Sequence, residues 1–315
     1  MVEKRTDKTK LWWQRRHAQR LTNWRQQFKD TIELDAYADP GEPIMSVDDN
    51  VLSICNAAHN IRLVYLLPLV IGFWVVSISF IYDFGPSSAQ VSYANYRVEK
   101  KLELEKKGKP FDEQEYFYFE ALVGTDGKGS KLKYINAAIK YGTDRHRKSV
   151  YGDIIFISIL VFIALLHTLA LLRFPRLADI YFDRQRGIVY TWRFGKIAAC
   201  RFENLGFRED KIGLTLFLYG ENKKHNGGYW PALFGLQPTG KAHMNNEADN
   251  TFLMAQLFAF MDKGKNSVIT GNRFYRPPPR TYLYQDKKPN DFESRLAAIL
   301  EREHELPELY AKHTF

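Results

Sequence analysis

Residues able to do chemistry are present in this 315-residue chain, but their spacing argues against most catalytic schemes. Its eight histidines are scattered, and its two cysteines, Cys55 and Cys200, lie far apart. A structural zinc site needs Cys or His ligands paired a few residues apart, and no H-E-x-x-H helix signature occurs, so no metal and no cofactor is expected. No phosphate loop or dinucleotide glycine fingerprint is present, and the glycines of residues 124–129 do not sit between a strand and a helix. No G-x-S-x-G nucleophile elbow occurs. His304 among Glu301, Glu303 and Glu305 reads as a charged helix surface, and Asp179 and Asp183 have turn or strand explanations. No catalytic residue is assigned, and a non-enzymatic protein is expected.

What remains is binding chemistry. Tyr116, Phe117, Tyr118 and Phe119 run consecutively, and Trp192, Tyr229 and Trp230 form a second aromatic group. Tyr, Trp and Arg dominate the energetics of protein interfaces, so these seven residues are the candidate partner contacts. The four consecutive aromatics are read first as the core of their own segment, with a contact surface for another protein as the alternative. Arg184, Arg186, Arg193 and Lys196, followed by Arg201, are candidates for holding lipid phosphates, or are exposed positions on alternating strands. The net charge of +9 points to anionic membrane lipid as a partner, since basic residues beside a span attract such lipids at about 1 kcal/mol each. Nucleic acid is not expected.

Two apolar runs must position these groups. Residues 63–82 and 154–172 are 20 and 19 residues long and contain no Asp, Glu, Lys or Arg. A hydrocarbon core about 30 Å thick is crossed by roughly 20 helical residues. The mean hydropathy of −0.37 hides both runs by averaging. The first begins too late for a secretory signal peptide, so both are expected to be transmembrane helices. Residues 1–29 carry nine Lys/Arg against two acids, and Arg173, Arg176, Arg184 and Arg186 follow the second run. By the positive-inside rule both termini are cytoplasmic and the intervening loop is external, although Lys140, Arg145, Arg147 and Lys148 before the second run argue the other way. Both cysteines then lie in a reducing compartment. His167 is the one ionisable residue within the runs; it suits a helix–helix hydrogen bond, with a proton relay as the alternative.

The divisions expected are a basic amphipathic N-terminal region (1–62), a first span (63–82), a periplasmic loop or subdomain (83–153), a second span (154–172), a cytoplasmic β domain (173–264), and a proline-containing linker with a last helix (265–315). Residues 1–29 place Leu21, Trp24 and Phe28 on one helical face, suited to lying on the membrane or to docking on the C-terminal domain. Residues 46–49 offer caps before 51–59, which lead into the span. Helical character recurs at 98–107 and 132–141. Strands are expected at 180–183, 188–194, 197–202, 212–219 and 229–236, then helices over 252–261 and 291–305. The fold class is an α+β membrane protein: two transmembrane helices plus an antiparallel sheet or barrel closed by a C-terminal helix.

The stretch DIYFDRQRGIVYTWRFGKIAACRFENLGF (179–207) resembles the start of bacterial pleckstrin-homology-like modules, a likeness that extends over about 177–264 and implies a PH-like domain. The whole layout, with its basic N-terminus, span, outer loop, span and F-D-R-x-x-G-x-V-Y, is similar to a family of two-span bacterial membrane proteins of unknown function (DUF6708-like). That resemblance implies an inner-membrane immunity protein that neutralises a cognate effector toxin of type VI secretion. It brings no catalytic residues and no transferable recognition motif. The alternative is a membrane-anchored regulatory or lipid-sensing module using the basic face of the PH-like domain. A homo-oligomer is compatible with either.

Overall fold

The computed structural model describes residues 18–31, 34–210, 213–225, 228–241, 245–279 and 281–312. The chain forms two compact units: residues 1–65 with 172–315, and residues 66–171. The larger unit is built on a ten-stranded antiparallel sheet: β1 (Gln19–Arg20), β2 (Ile44–Val47), β3 (Val51–Ile54), β4 (Ile180–Asp183), β5 (Ile188–Arg193), β6 (Lys196–Arg201), β7 (Gly206–Asp210), β8 (Gly213–Glu221), β9 (Tyr229–Leu236) and β10 (Phe274–Tyr275). Its spatial order is β1-β7-β8-β6-β5-β4-β3-β2-β10, with β9 also pairing β8.

The central strands read as nearly continuous apolar runs because both sheet faces are covered. In β5, Ile188 to Trp192 are all buried. Phe292 covers Tyr190 and Trp192 at ring separations of 5.4 and 5.8 Å. It belongs to helix Phe292–Arg302, whose buried Phe292, Leu296 and Ile299 fall one helical turn apart. Helix Glu247–Lys263 is closed by an Asn246–Asp249 capping box and is buried along most of residues 250–260. Its Phe258 packs on Phe202 and Phe28.

The N-terminal segment docks on this unit. Leu21 and Phe28 are fully buried, Leu21 N–H donates to the Leu205 carbonyl, and Trp24 and Phe28 pack edge-on against Phe207. The amphipathic face anticipated in the sequence is a docking face, presented by a short strand, a 3-10 turn at Leu21–Trp24 and helix Arg25–Thr31. Leu11, Trp12, Trp13, Arg15 and Arg16 lie outside the described residues. Residues 46–54 differ from the expected helical approach to the span. They form the β2–β3 hairpin, and Asp48 closes its turn by accepting from the Asn50 and Val51 amides, an Asx turn instead of a helix cap. Residues expected to stand apart as 1–62 and 265–315 thus contribute strands and helices to the same unit as 173–264.

Among the described residues, two helical stretches are long and apolar enough to cross a membrane, Ala58–Lys106 and Asp144–Arg173. Between helices Leu67–Asp83 and Asp144–Arg173, the Trp74 indole donates to the Thr168 hydroxyl at 2.9 Å. His167, the expected interhelical group, meets its own helix's Ile163 carbonyl instead, at 2.8 Å, and packs on Phe73. Helices Ser88–Lys106, Glu113–Val123 and Lys131–Tyr141 form the smaller unit's second core around Ala94, Phe119, Leu122, Val123 and Ala137.

Phe28→Ala empties a fully buried position where helix Arg25–Thr31 meets the sheet. It is expected to cost about 3–5 kcal/mol, seen as a lowered thermal midpoint of the detergent-solubilised protein. A loss below about 1 kcal/mol would mean that this segment does not dock.

Candidate functional site

Strand β3 ends at Ile54, and its partner in the β3–β4 ladder is Ile180, the first residue of β4. The chain therefore leaves the sheet for its first apolar run, and returns from its second, at adjacent positions. Three groups from this junction converge: the Cys55 sulfur, a ring nitrogen of His59 and a carboxylate oxygen of Asp179 lie within 4.8 Å of one another. Arg176 donates to both Asp179 oxygens at 3.1 Å. The Tyr282 hydroxyl lies 3.2 Å from His59 Nδ1, and the Arg62 guanidinium stacks over the Tyr282 ring at 4.3 Å.

Burial raises the Cys55 thiol to about 12; Asp179 adds to the shift and Arg176 opposes it. Burial likewise raises the Asp179 carboxyl, against the pull of the Arg176 charge and hydrogen bonds. The thiol is therefore protonated at neutral pH and is no free nucleophile. A cavity of about 270 Å³ opens beside the cluster, lined by Glu42, Asn60, Arg176, Gln237, Arg276 and Tyr282 among others.

Residues 281–286 form a strap across this end of the sheet. Arg62 donates to the Thr281 hydroxyl and carbonyl. Arg176 N–H donates to the Tyr284 carbonyl, and Asp286 N–H to the Arg176 carbonyl. The Trp192 indole donates to the Asp286 carbonyl, and the Phe194 amide to its carboxylate at 2.7 Å. One segment thus ties the root of each apolar run to the β5–β6 turn. Leu283 and Tyr284 point outward from the strap, 66% and 56% exposed, and Phe194 at the turn is 64% exposed. Phe194 has φ 50° and Gly195 φ 72°. A bulky residue with positive φ is rare, and this one carries an exposed ring between Arg193 and Lys196.

The basic residues singled out in the sequence divide between two places. Arg193 and Lys196 flank the β5–β6 turn, whereas Arg184 and Arg186 lie in the β4–β5 turn at the opposite end of β5, a strand of six residues or roughly 20 Å. Arg186 is also committed to Asp183 and Glu293. They do not form one patch.

Among the aromatic candidates, Tyr116, Phe119 and Trp192 are buried, which takes them out of surface contact. Tyr116 packs under Phe111, and Trp192 stacks on Tyr181 at 5.3 Å. Phe117 is exposed and stacks on Tyr141. Half-buried Tyr118 lines a groove of about 460 Å³ with Asp112, Gln114, Glu115, Tyr141, Thr143 and His146. Tyr229 and Trp230 are half-buried, stacked on Tyr219 and His225.

The Cys55–His59–Asp179 cluster and the strap were missed by sequence reasoning, because their members come from four separate segments. The one local signal was the polar content of residues 55–60 and 176–179 directly beside apolar runs.

Comparison with protein-family models, with curated proteins and with solved structures finds no match for this chain.

Arg176 is the counter-charge to a buried carboxylate. Arg176→Leu is expected to destabilise the larger unit by roughly 3 kcal/mol, because the remaining charge is buried without a partner. Adding Asp179→Asn should recover at least half of that loss in denaturation midpoints. Equal stability of Arg176→Leu and the unmodified protein would show that the pair is not structural.

Proposed function

We propose that this chain is a non-enzymatic bacterial inner-membrane protein with both termini cytoplasmic and residues 83–153 periplasmic, whose larger unit binds the anionic lipid surface through the edge where both spans root. The observation that carries this reading is the β5–β6 turn: exposed Phe194 in a left-handed conformation, flanked by Arg193 and Lys196 and tied through Asp286 to the strap that holds both roots. Apolar rings beside basic side chains are the composition of membrane-interface contacts. Leu283 and Tyr284 extend the same edge, and Arg173 and Lys287 add charge close by in sequence. The β4–β5–β6 meander, joined through β8 to β7 and β9, and the buried helix Glu247–Lys263 are compatible with the resemblance to pleckstrin-homology modules, and the role proposed is a membrane-anchored, lipid-sensing one.

A photo-crosslinking benzoylphenylalanine at position 194, in vesicles containing phosphatidylglycerol, is expected to capture lipid. Arg193→Glu with Lys196→Glu should reduce capture several-fold, since each basic residue contributes about 1 kcal/mol. Equal capture by the charge-reversed protein, or in vesicles of phosphatidylcholine alone, would overturn the reading.

A second reading is the immunity protein implied by the resemblance, in which the chain binds a cognate type VI effector. The groove beside Tyr118 favours it: the groove is concave and rimmed by aromatic rings, with Asp112 and the Glu115 carboxylate, paired with Arg97 at 2.6 Å, at its edge. Tyr118→Ala with Glu115→Lys is expected to abolish protection of cells that express a neighbouring secreted toxin while leaving membrane insertion intact. Full protection by that variant would remove this groove as the contact.

A further inference from the structure

The cluster at the span roots contains the donors of a metal site. Cys55 lies just past the end of β3, His59 in the helix that begins the first membrane stretch, and Asp179 immediately before β4. Their donor atoms lie within 4.8 Å of one another. Around a tetrahedral ion the ligand atoms stand about 3.5 Å apart, so side-chain rotations of about an ångström close the set.

We propose that Cys55, His59 and Asp179 bind a divalent transition metal of the zinc type, with a fourth position open to the adjoining cavity. The donor set selects the metal. A thiolate with an imidazole and one carboxylate suits Zn²⁺ or Co²⁺, whereas Mg²⁺ and Ca²⁺ require oxygen ligands. Three protein ligands with one open position is the arrangement zinc adopts where water or another small ligand completes the sphere.

The surroundings fit this assignment. His59 Nε2 is buried with no hydrogen-bond partner among the described residues, Nδ1 faces the Tyr282 hydroxyl at 3.2 Å, and the Leu177 backbone also interacts with the ring. A histidine held by an outer partner at one nitrogen and free at the other is the usual state of a metal ligand. Arg176 holds both Asp179 oxygens and would retain one as the other binds metal. The Cys55 thiol donates to the Asn56 carbonyl at 3.8 Å. On binding, the Cys55 S–H bond breaks, its proton leaves to solvent and the S–metal bond forms, with no change of oxidation state. Such an ion would join the end of β3, the first span root and the start of β4, and would oppose their separation.

The test uses the full-length protein in detergent, purified without a histidine tag, stripped by a chelator and titrated with Co²⁺. Expected is uptake of one ion per chain with thiolate-to-cobalt charge-transfer absorption in the near ultraviolet, displaced by Zn²⁺. The band should vanish in Cys55→Ala and persist in Cys200→Ala, the other cysteine being fully buried in the sheet. His59→Ala and Asp179→Asn should each weaken binding at least tenfold. No saturable one-to-one uptake, or a band retained in Cys55→Ala, would overturn the assignment. A second measurement needs no variant: saturating Zn²⁺ should raise the thermal midpoint of the unmodified, chelator-stripped protein, because a ligand that binds only the folded state stabilises it. An unchanged midpoint with saturating Zn²⁺ also overturns it.

Discussion

The antiparallel ladder between β3 and β4 is the constraint on which the rest depends. Val51 pairs Asp183, and Ile54 pairs Ile180, although both apolar runs and the helices between those runs lie between the two strands in sequence. Closing a loop of that length costs entropy that grows only slowly with its size, and the strand pair sits in a sheet with both faces covered. Residues paired across such a ladder stand about 5 Å apart, so the two points at which the chain departs and returns are fixed side by side. Every feature of the candidate site follows: Cys55 and His59 extend from one strand, Arg176 and Asp179 precede the other, and their convergence is a consequence of register.

The strap at residues 281–286 uses that closure. It begins 98 residues after the end of β4, yet its backbone pairs with Arg176 and its side chains meet His59, Arg62 and the Phe194 amide. Tyr282 is half-buried against Arg62, while Leu283 and Tyr284 face outward. An exposed leucine by itself needs no explanation. Three large exposed side chains tied to one hydrogen-bonded frame, one of them in a left-handed conformation, make a more specific pattern, because such backbone strain persists only where surrounding contacts fix it.

Much of the local structure was legible. Alternation and turn residues located β4, β5, β6, β8 and β9 to within about two residues. What the sequence could not reveal was non-local. The β2–β3 hairpin looked like an approach to the span because Ser46, Asp48 and Asp49 suit a helix cap as well as a turn, and only the pairing of β3 with β4 decides between them. β7 is five residues with charged positions at 208–210 and lacks a clear period. The aromatic run 116–119 carried two open readings, and burial divides it: Tyr116 and Phe119 face inward at helical spacing, and Phe117 outward. The basic residues after the second span looked like one patch because a linear sequence does not show that a six-residue strand puts their two halves at opposite ends.

The junction and the outward edge are connected through adjacent residues of one strap, so their ligands would be linked. Tyr282 holds His59, and Leu283 and Tyr284 follow it directly. A metal that fixes His59 also restricts Tyr282, and with it the backbone that presents Leu283 and Tyr284. If lipid contact favours the same strap geometry, the two binding events have a coupling free energy, and thermodynamic linkage makes it reciprocal: anionic lipid raises metal affinity by the factor by which metal raises lipid affinity. If the strap is already rigid without either ligand, neither has an equilibrium to shift and the coupling vanishes. The backbone bonds to Arg176 and the Asp286 bond to the Phe194 amide favour a rigid strap, whereas the exposed side chains at 283 and 284 leave its centre less constrained. The freedom for coupling therefore lies in those two residues and in the Tyr282 ring beside them.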